Sequence, residues 1–292
     1  MEGGRPLVVF SQANSQDPWR QVFDAEMNAA AEEHADEFRF AMLEAQDKAD
    51  LQISQVESLL LKNPVALLIS PATEALQSIC ERAYDRGIPV ILLDRGLPGD
   101  KYTTLIGGDN VEIGRRAAEY IAEKLGGGGT VLVIKGLAGA TPTKDRHDGA
   151  MQVWAESYPG IEVIEGDHCD YQRVKARNYM EIFLQGGRQF DAVYAHNDEM
   201  AIGAWQAIEA QGTGDKIIVG IDACQREVIG MILDGKLTAT LVYPHPARRG
   251  IEIASQLLKG ESDVPKKIVL DTTVIDITNA ENFLADNPNL AK

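Results

Sequence analysis

Cysteine is scarce in this chain: Cys80, Cys169 and Cys224 are the three present in 292 residues. They are too few and too irregularly spaced for a disulfide framework or a zinc site. Cys80 falls in an apolar helical stretch and reads as small core filler. Cys169 and Cys224 each follow a strand, so a bridge between them stays open, and nothing marks either thiol as reactive. No apolar run approaches the roughly 18 residues of a membrane-crossing helix. Basic side chains are also in deficit, 28 Lys and Arg against 44 Asp and Glu, for a formal charge of −16. Such a surface repels phosphate backbones and anionic headgroups, which excludes nucleic acid and membrane surfaces as expected partners. The same charge favours solubility and suits a monomer. Met1-Glu2-Gly3-Gly4-Arg5-Pro6 leads straight into a strand without the basic-then-apolar pattern of an export signal. The expectation is a chain that stays in the cytoplasm or one whose export signal has been removed. No Ser/His/Asp order, catalytic carboxylate pair or metal-ligand spacing stands out, so neither enzyme chemistry nor a cofactor is expected.

What is present is a regular alternation of short apolar runs and amphipathic helical stretches. The runs are rich in Val, Ile and Leu and mostly unalternated, as parallel strands covered on both faces require. In the stretch after Lys48, Ile53, Val56, Leu59 and Leu60 recur at helical steps. Length and a hydrophobic fraction of 45% suit two cores. The pattern predicts an α/β protein of two doubly wound parallel-sheet domains joined by three hinge strands. Residues 1–107 with 245–272 would form one lobe, and 108–244 with 273–292 the other. Gly107-Gly108 reads as a turn, and Gly126 to Gly129 as a loop lacking the Lys-Ser/Thr of a phosphate cradle.

Five runs end in polar side chains. Leu7 to Phe10 leads into Ser11-Gln12, Val90 to Leu93 into Asp94-Arg95, and Ala192 to Ala195 into His196-Asn197-Asp198. Ile217 to Ile221 leads into Asp222, and Ala239 to Val242 into Tyr243. Open α/β sheets bind ligands beyond the carboxyl ends of their strands. Asp, Arg and Asn placed there, with no nucleophile or metal cluster, point to holding a polyhydroxylated ligand rather than transforming it.

Several segments carry a family resemblance: Pro89 to Arg95, Gly108-Asp109-Asn110, Gly136 through Arg146, Tyr194 to Ala204, and Asp234 to Thr240. In this order and spacing the chain resembles the periplasmic sugar-binding proteins of the ribose/galactose type, the solute receptors of ABC importers, over essentially its whole length. Phe10-Ser11-Gln12 with Trp19-Arg20 is most similar to the galactofuranose-binding branch. The resemblance implies the type I periplasmic-binding-protein fold, a periplasmic location, a membrane permease as partner, and a monosaccharide held between the lobes, which close on it.

It also implies roles for individual residues. Asp94 accepts hydroxyl protons, Arg95 donates to two vicinal oxygens, and Arg146, at the matching position of the second domain, donates across the cleft. Asn197 both donates and accepts. Asp222 is the matching strand-end carboxylate, with Ala223 where the family usually has Gly, which leaves the local backbone conformation open. Trp19 would cover the C–H face of the sugar, and Arg20 replaces a second aromatic found in ribose binders. Tyr171 is expected as an opposing wall, Tyr243 as a hydrogen-bonding group for ligand or hinge, and Gln12 as a further contact. Asp198 reads as a helix N-cap, His196 as a group behind the contacting residues, and Trp154 and Trp205 as packing. Two alternatives stay open, the effector domain of a LacI-type regulator and a sugar-sensing receptor without transport. The first would need a DNA-binding headpiece, and six residues precede Leu7 in this sequence.

Overall fold

The computed structural model describes residues 4–212, 214–288 and 290–291. Met1 to Gly3, part of the N-terminal stretch read above, lie outside the described residues. Along the chain come β1 (Leu7–Gln12), α1 (Pro18–Glu33), β2 (Arg39–Glu44), α2 (Ala49–Leu60), β3 (Ala66–Ile69), α3 (Gln77–Asp85), β4 (Val90–Leu93) and β5 (Thr104–Gly108). Then follow α4 (Asn110–Lys124), β6 (Gly128–Lys135), α5 (Thr141–Ser157), β7 (Gly160–His168), α6 (Arg173–Gln185) and β8 (Ala192–Ala195). The chain continues through α7 (Asp198–Gln211), β9 (Ile217–Asp222), α8 (Arg226–Leu233) and β10 (Ala239–Val242). It ends with α9 (Ala247–Leu258), β11 (Lys267–Leu270), β12 (Val274–Asp276) and α10 (Ala280–Asp286).

These elements form two units. One holds the residues up to Gly108 with His245–Leu270, the other Asp109–Pro244 with the residues from Asp271 onward. Each contains a six-stranded sheet, ordered β11-β5-β4-β3-β1-β2 in the first and β12-β10-β9-β8-β6-β7 in the second. All neighbours pair in parallel except β10 with β12. The central strands β1, β3 and β4 are buried along their whole length. Each large apolar side chain buried there contributes about 1.5–3 kcal/mol, which explains the unalternated runs. The edge strand β2, covered less, carries exposed Arg39 and Leu43.

Two sequence expectations are corrected. Gly107-Gly108 is no turn: it closes β5, a strand whose neighbours are β4 and β11. Gly128 and Gly129 likewise belong to β6 rather than to a loop, paired with Gly160 and Ile161 of β7. Gly128 sits where backbones crowd, since a Cβ there would lie 3.3 Å from the Gly160 carbonyl oxygen. Cys80, Cys169 and Cys224 are free and buried. Burial pushes the Cys80 thiol up to about 12. Among the described residues no helix is long and apolar enough to cross a membrane.

Candidate functional site

In the first unit a buried polar network lies at the carboxyl ends of β1, β3 and β4. Asp17 caps α1 by accepting from the Arg20 amide at 2.9 Å, and Pro18 occupies the first helical position. That start aims the Arg20 guanidinium back at the sheet edge. It donates to Gln12 Oε1 at 3.0 Å, to Ser70 Oγ at 2.8 Å and to Asp94 Oδ2. Ser70 Oγ also donates to Asp94 Oδ2 at 3.2 Å, and Gln12 Nε2 donates to Asp24 at 2.6 Å. Burial works against the charge of Arg20, but Asp94, Asp17 and Asp47 outweigh it and hold the group more firmly protonated than usual. Arg95 donates to Asp47 Oδ1 at 3.2 Å and to the Ala72 carbonyl at 3.1 Å. Its Nε, 3.8 Å from Asp94 Oδ2, is buried without a hydrogen-bond partner. Gln12, Arg20, Asp94 and Arg95 therefore form one cluster.

Trp19 joins this cluster by packing. Its indole is buried, stacked on His245 with centroids 4.7 Å apart, set edge-on to Phe23, and has the Arg20 guanidinium 4.9 Å from its centre. Much of the ring expected to cover a ligand is thus engaged within its own unit. Burial pushes His245 down to about 4, so its imidazole is neutral and free to stack.

The second unit gathers the other five residues. Gly114 of α4 and Gly149 of α5 let those helices touch: a Cβ at Gly114 would lie 2.1 Å from the Arg146 carbonyl oxygen. This contact fixes Arg146, which donates to Asn110 Oδ1 at 2.9 Å and to the His196 carbonyl. The guanidinium lies 4.4 Å from the centre of the Tyr243 ring, and Asn110 Nδ2 donates to Tyr243 Oη at 3.3 Å. Burial opposes the Arg146 charge, while Tyr171, Asp222 and Tyr243 favour it, for a net rise. Tyr171 shares a 2.6 Å hydrogen bond with Thr143 Oγ1. Its ring fits over Gly136, where a Cβ would come within 2.2 Å of it. Burial and Arg146 hold the His196 imidazole well below its ordinary value, hence neutral.

The helix cap expected at Asp198 lies one residue earlier. Asn197, read as a ligand group, is the N-cap of α7, its Oδ1 accepting from the Met200 amide at 3.0 Å while Nδ2 donates to the Tyr171 carbonyl at 3.3 Å. Asp198, read as that cap, is a fully buried first helical residue. It accepts from the Ala223 amide at 2.7 Å and from Thr240 Oγ1 at 2.6 Å. The question left by Ala223 is answered by its backbone: Asp222 has φ +138° and Ala223 φ +54°. L-residues adopt either at a cost of order 1–3 kcal/mol. Asp94 ends β4 in the same manner, with φ +67°.

Both clusters combine buried guanidinium donors with carboxylate and amide groups, the equipment for a neutral molecule dense in hydroxyls. Among the described residues no group of three or more His, Cys, Asp or Glu could hold a metal ion. Ser70, Asp47 and Asn110 were missed. The strand-end rule applied to Ile69-Ser70 finds the first, and recognising β5 would have placed Asn110 at a strand end.

Residues 8–262 match the family model described as the periplasmic binding protein domain. The ribose import binding protein RbsB of Bacillus subtilis (strain 168) is 35% identical over 75% of this chain and 72% of that protein. The galactofuranose-binding protein YtfQ of Escherichia coli (strain K12) is 29% identical over 92% of this chain and 87% of its own length. Among solved structures, the fructose-binding periplasmic domain of the hybrid two-component system BT1754 superposes with a TM-score of 0.92 at 34% identity, covering 97% of this chain and 95% of that one.

Proposed function

The chain belongs to the periplasmic binding protein family, and from that premise we propose that it is the receptor of an ABC importer that captures a monosaccharide. The observation that carries this is a duplicated device. Each sheet ends in an aspartate at positive φ, Asp94 and Asp222, set beside buried arginines. In this reading the protein closes on its ligand and hands it to a membrane permease without turnover or cofactor, as a periplasmic monomer. The sugar proposed is a hexose or a furanose form, galactofuranose-like. The likeness to a galactofuranose-binding protein supports it.

Differential scanning fluorimetry against D-ribose, L-arabinose, D-fructose, D-galactose and myo-inositol tests the reading. A ligand at about 100 times its dissociation constant stabilises the fold by about 2.7 kcal/mol. Arg95→Ala and Asp222→Ala should each weaken the binding sugar at least about tenfold, or about 1.4 kcal/mol. No shift with any sugar, or unchanged affinity in both variants, overturns the assignment.

One observation favours a second reading, sugar sensing without transport: the similar fructose-binding domain belongs to a two-component system. Recovery of a permease or of a sensor kinase from membranes by the sugar-loaded protein separates the two.

A further inference from the structure

Asp198 lies outside the set of residues expected to touch a ligand, yet it links three elements of the second unit. It is the first residue of α7, its Oδ2 accepts from the Ala223 amide just past β9, and its Oδ1 accepts from the Thr240 hydroxyl on β10. The approach is close enough to dictate a neighbour, because a Cβ at Gly220 would lie 2.2 Å from Asp198 Oδ1. What the carboxylate grips is the least comfortable stretch of backbone in that unit's cluster. Asp222 at φ +138° precedes Ala223 at φ +54°, with no glycine to make either conformation easy. A strained bend persists only where its surroundings over-determine it; here the Asp198 carboxylate accepts from the Ala223 amide, and the Tyr243 amide donates to the Asp222 carbonyl at 3.2 Å.

We propose that Asp198 is a positioning residue: by holding Ala223 in the left-handed conformation and tying it to β10, it aims Asp222 at the ligand. This rests on the reading of Asp222 as a ligand contact. The charges acting on Asp198 suit such a clamp. Burial disfavours the carboxylate most and Glu199 on its own helix adds to that, while the Thr240 and Ala223 donors and Arg146 on α5 favour it. The N-terminal end of α7 adds a favourable dipole. A protonated Asp198 would still accept from Ala223 through its carbonyl oxygen and donate to Thr240, so the clamp tolerates titration.

The test has a ligand-free and a ligand-bound arm. In the sugar-free protein, the Ala223 carbon chemical shifts and its HN–Hα coupling report φ. They should read left-handed in the wild type and in Asp198→Asn, whose amide can accept from Ala223 and donate to Thr240. They should lose that signature in Asp198→Ala, and regain a left-handed signature at position 223 when Ala223→Gly is added. In calorimetric titrations with D-ribose, L-arabinose, D-fructose and D-galactose, Asp198→Ala should lose at least tenfold in affinity and Asp198→Asn less than threefold. The Asp198→Ala/Ala223→Gly double variant should recover at least threefold of the loss. Retention of the left-handed signature in Asp198→Ala overturns the proposal. So does unchanged affinity in Asp198→Ala while Asp222→Ala binds at least tenfold more weakly. If Asp222→Ala also binds normally, the ligand role of Asp222 fails instead, and the chemical shifts still decide whether Asp198 holds the bend. Should Asp198→Ala not fold, Thr240→Val replaces it in both arms. It removes one of the two ties and is expected to lose three- to tenfold, and an unchanged affinity would again overturn the proposal.

Discussion

Arg20→Met is the perturbation that isolates the first unit's network. The guanidinium and the Asp94 carboxylate are paired with side-chain exposures of 4% and 2%, so removing the cation leaves a carboxylate that water does not reach. Breaking a buried pair from one side costs about 3–5 kcal/mol. Gln12 Oε1 and Ser70 Oγ lose a donor as well. At about 2–4 °C per kcal/mol for chains of 150–250 residues, the melting temperature of the sugar-free protein should fall by roughly 6–20 °C. Urea unfolding measures the same loss as a lowered midpoint at constant slope. Arg95 Nε at 3.8 Å and Ser70 Oγ at 3.2 Å remain beside Asp94 but compensate its buried charge less well than the lost pair, so adding Asp94→Asn should return part of the cost, making Arg20→Met/Asp94→Asn more stable than Arg20→Met alone. Arg20→Met within 0.5 kcal/mol of wild type, or a double variant less stable than the single one, would refute the reasoning.

Burial raises the Asp198 carboxyl from 3.8 to about 7. Between those values the folded chain holds a proton that the unfolded chain has released, so this group's contribution to stability falls as pH rises through that window. Asp198→Asn removes the titration. Urea unfolding at pH 5 and pH 8 should show the variant gaining roughly 2 kcal/mol on wild type at the higher pH, and an equal difference at both would contradict it. Gly114→Ala should both destabilise the protein and reduce sugar affinity at least tenfold, because a Cβ 2.1 Å from the Arg146 carbonyl forces α5 and its guanidinium away from α4. Melting and calorimetric titration measure the two effects, and a stable variant with normal affinity would contradict this.

The two-sheet α/β architecture was legible because its signal is compositional: Val8 to Phe10, Leu67 to Ile69 and Val90 to Leu93 are apolar without interruption, and all are buried. β5 escaped notice because Thr104-Leu105-Ile106-Gly107-Gly108 ends in two glycines, which read locally as a turn. The pairing with β4 and β11 that makes it a strand is a tertiary fact. The shift of the helix cap from Asp198 to Asn197 has a similar origin. Both residue types cap helices well, and only the position of Ala223 and Thr240 decides that the Asp198 carboxylate points into the unit.

The residue types of the candidate site were thus readable, whereas the conformations that aim them were not. Asp94 and Asp222 each end a strand with positive φ, and neither is glycine nor is followed by one. Nothing in a dipeptide such as Asp94-Arg95 or Asp222-Ala223 announces such a bend, since each would relax to an extended or helical conformation in isolation. What holds them is supplied from far along the chain. The Asp94 backbone amide donates to the Ile106 carbonyl at 2.9 Å and its carboxylate accepts from Arg20, while the Ala223 amide is held by Asp198. Strain at a strand end, with distant groups recruited to maintain it, costs stability. Its appearance in each sheet, at Asp94 and at Asp222, on residues well able to accept hydrogen bonds from hydroxyls, is what the ligand role proposed above accounts for.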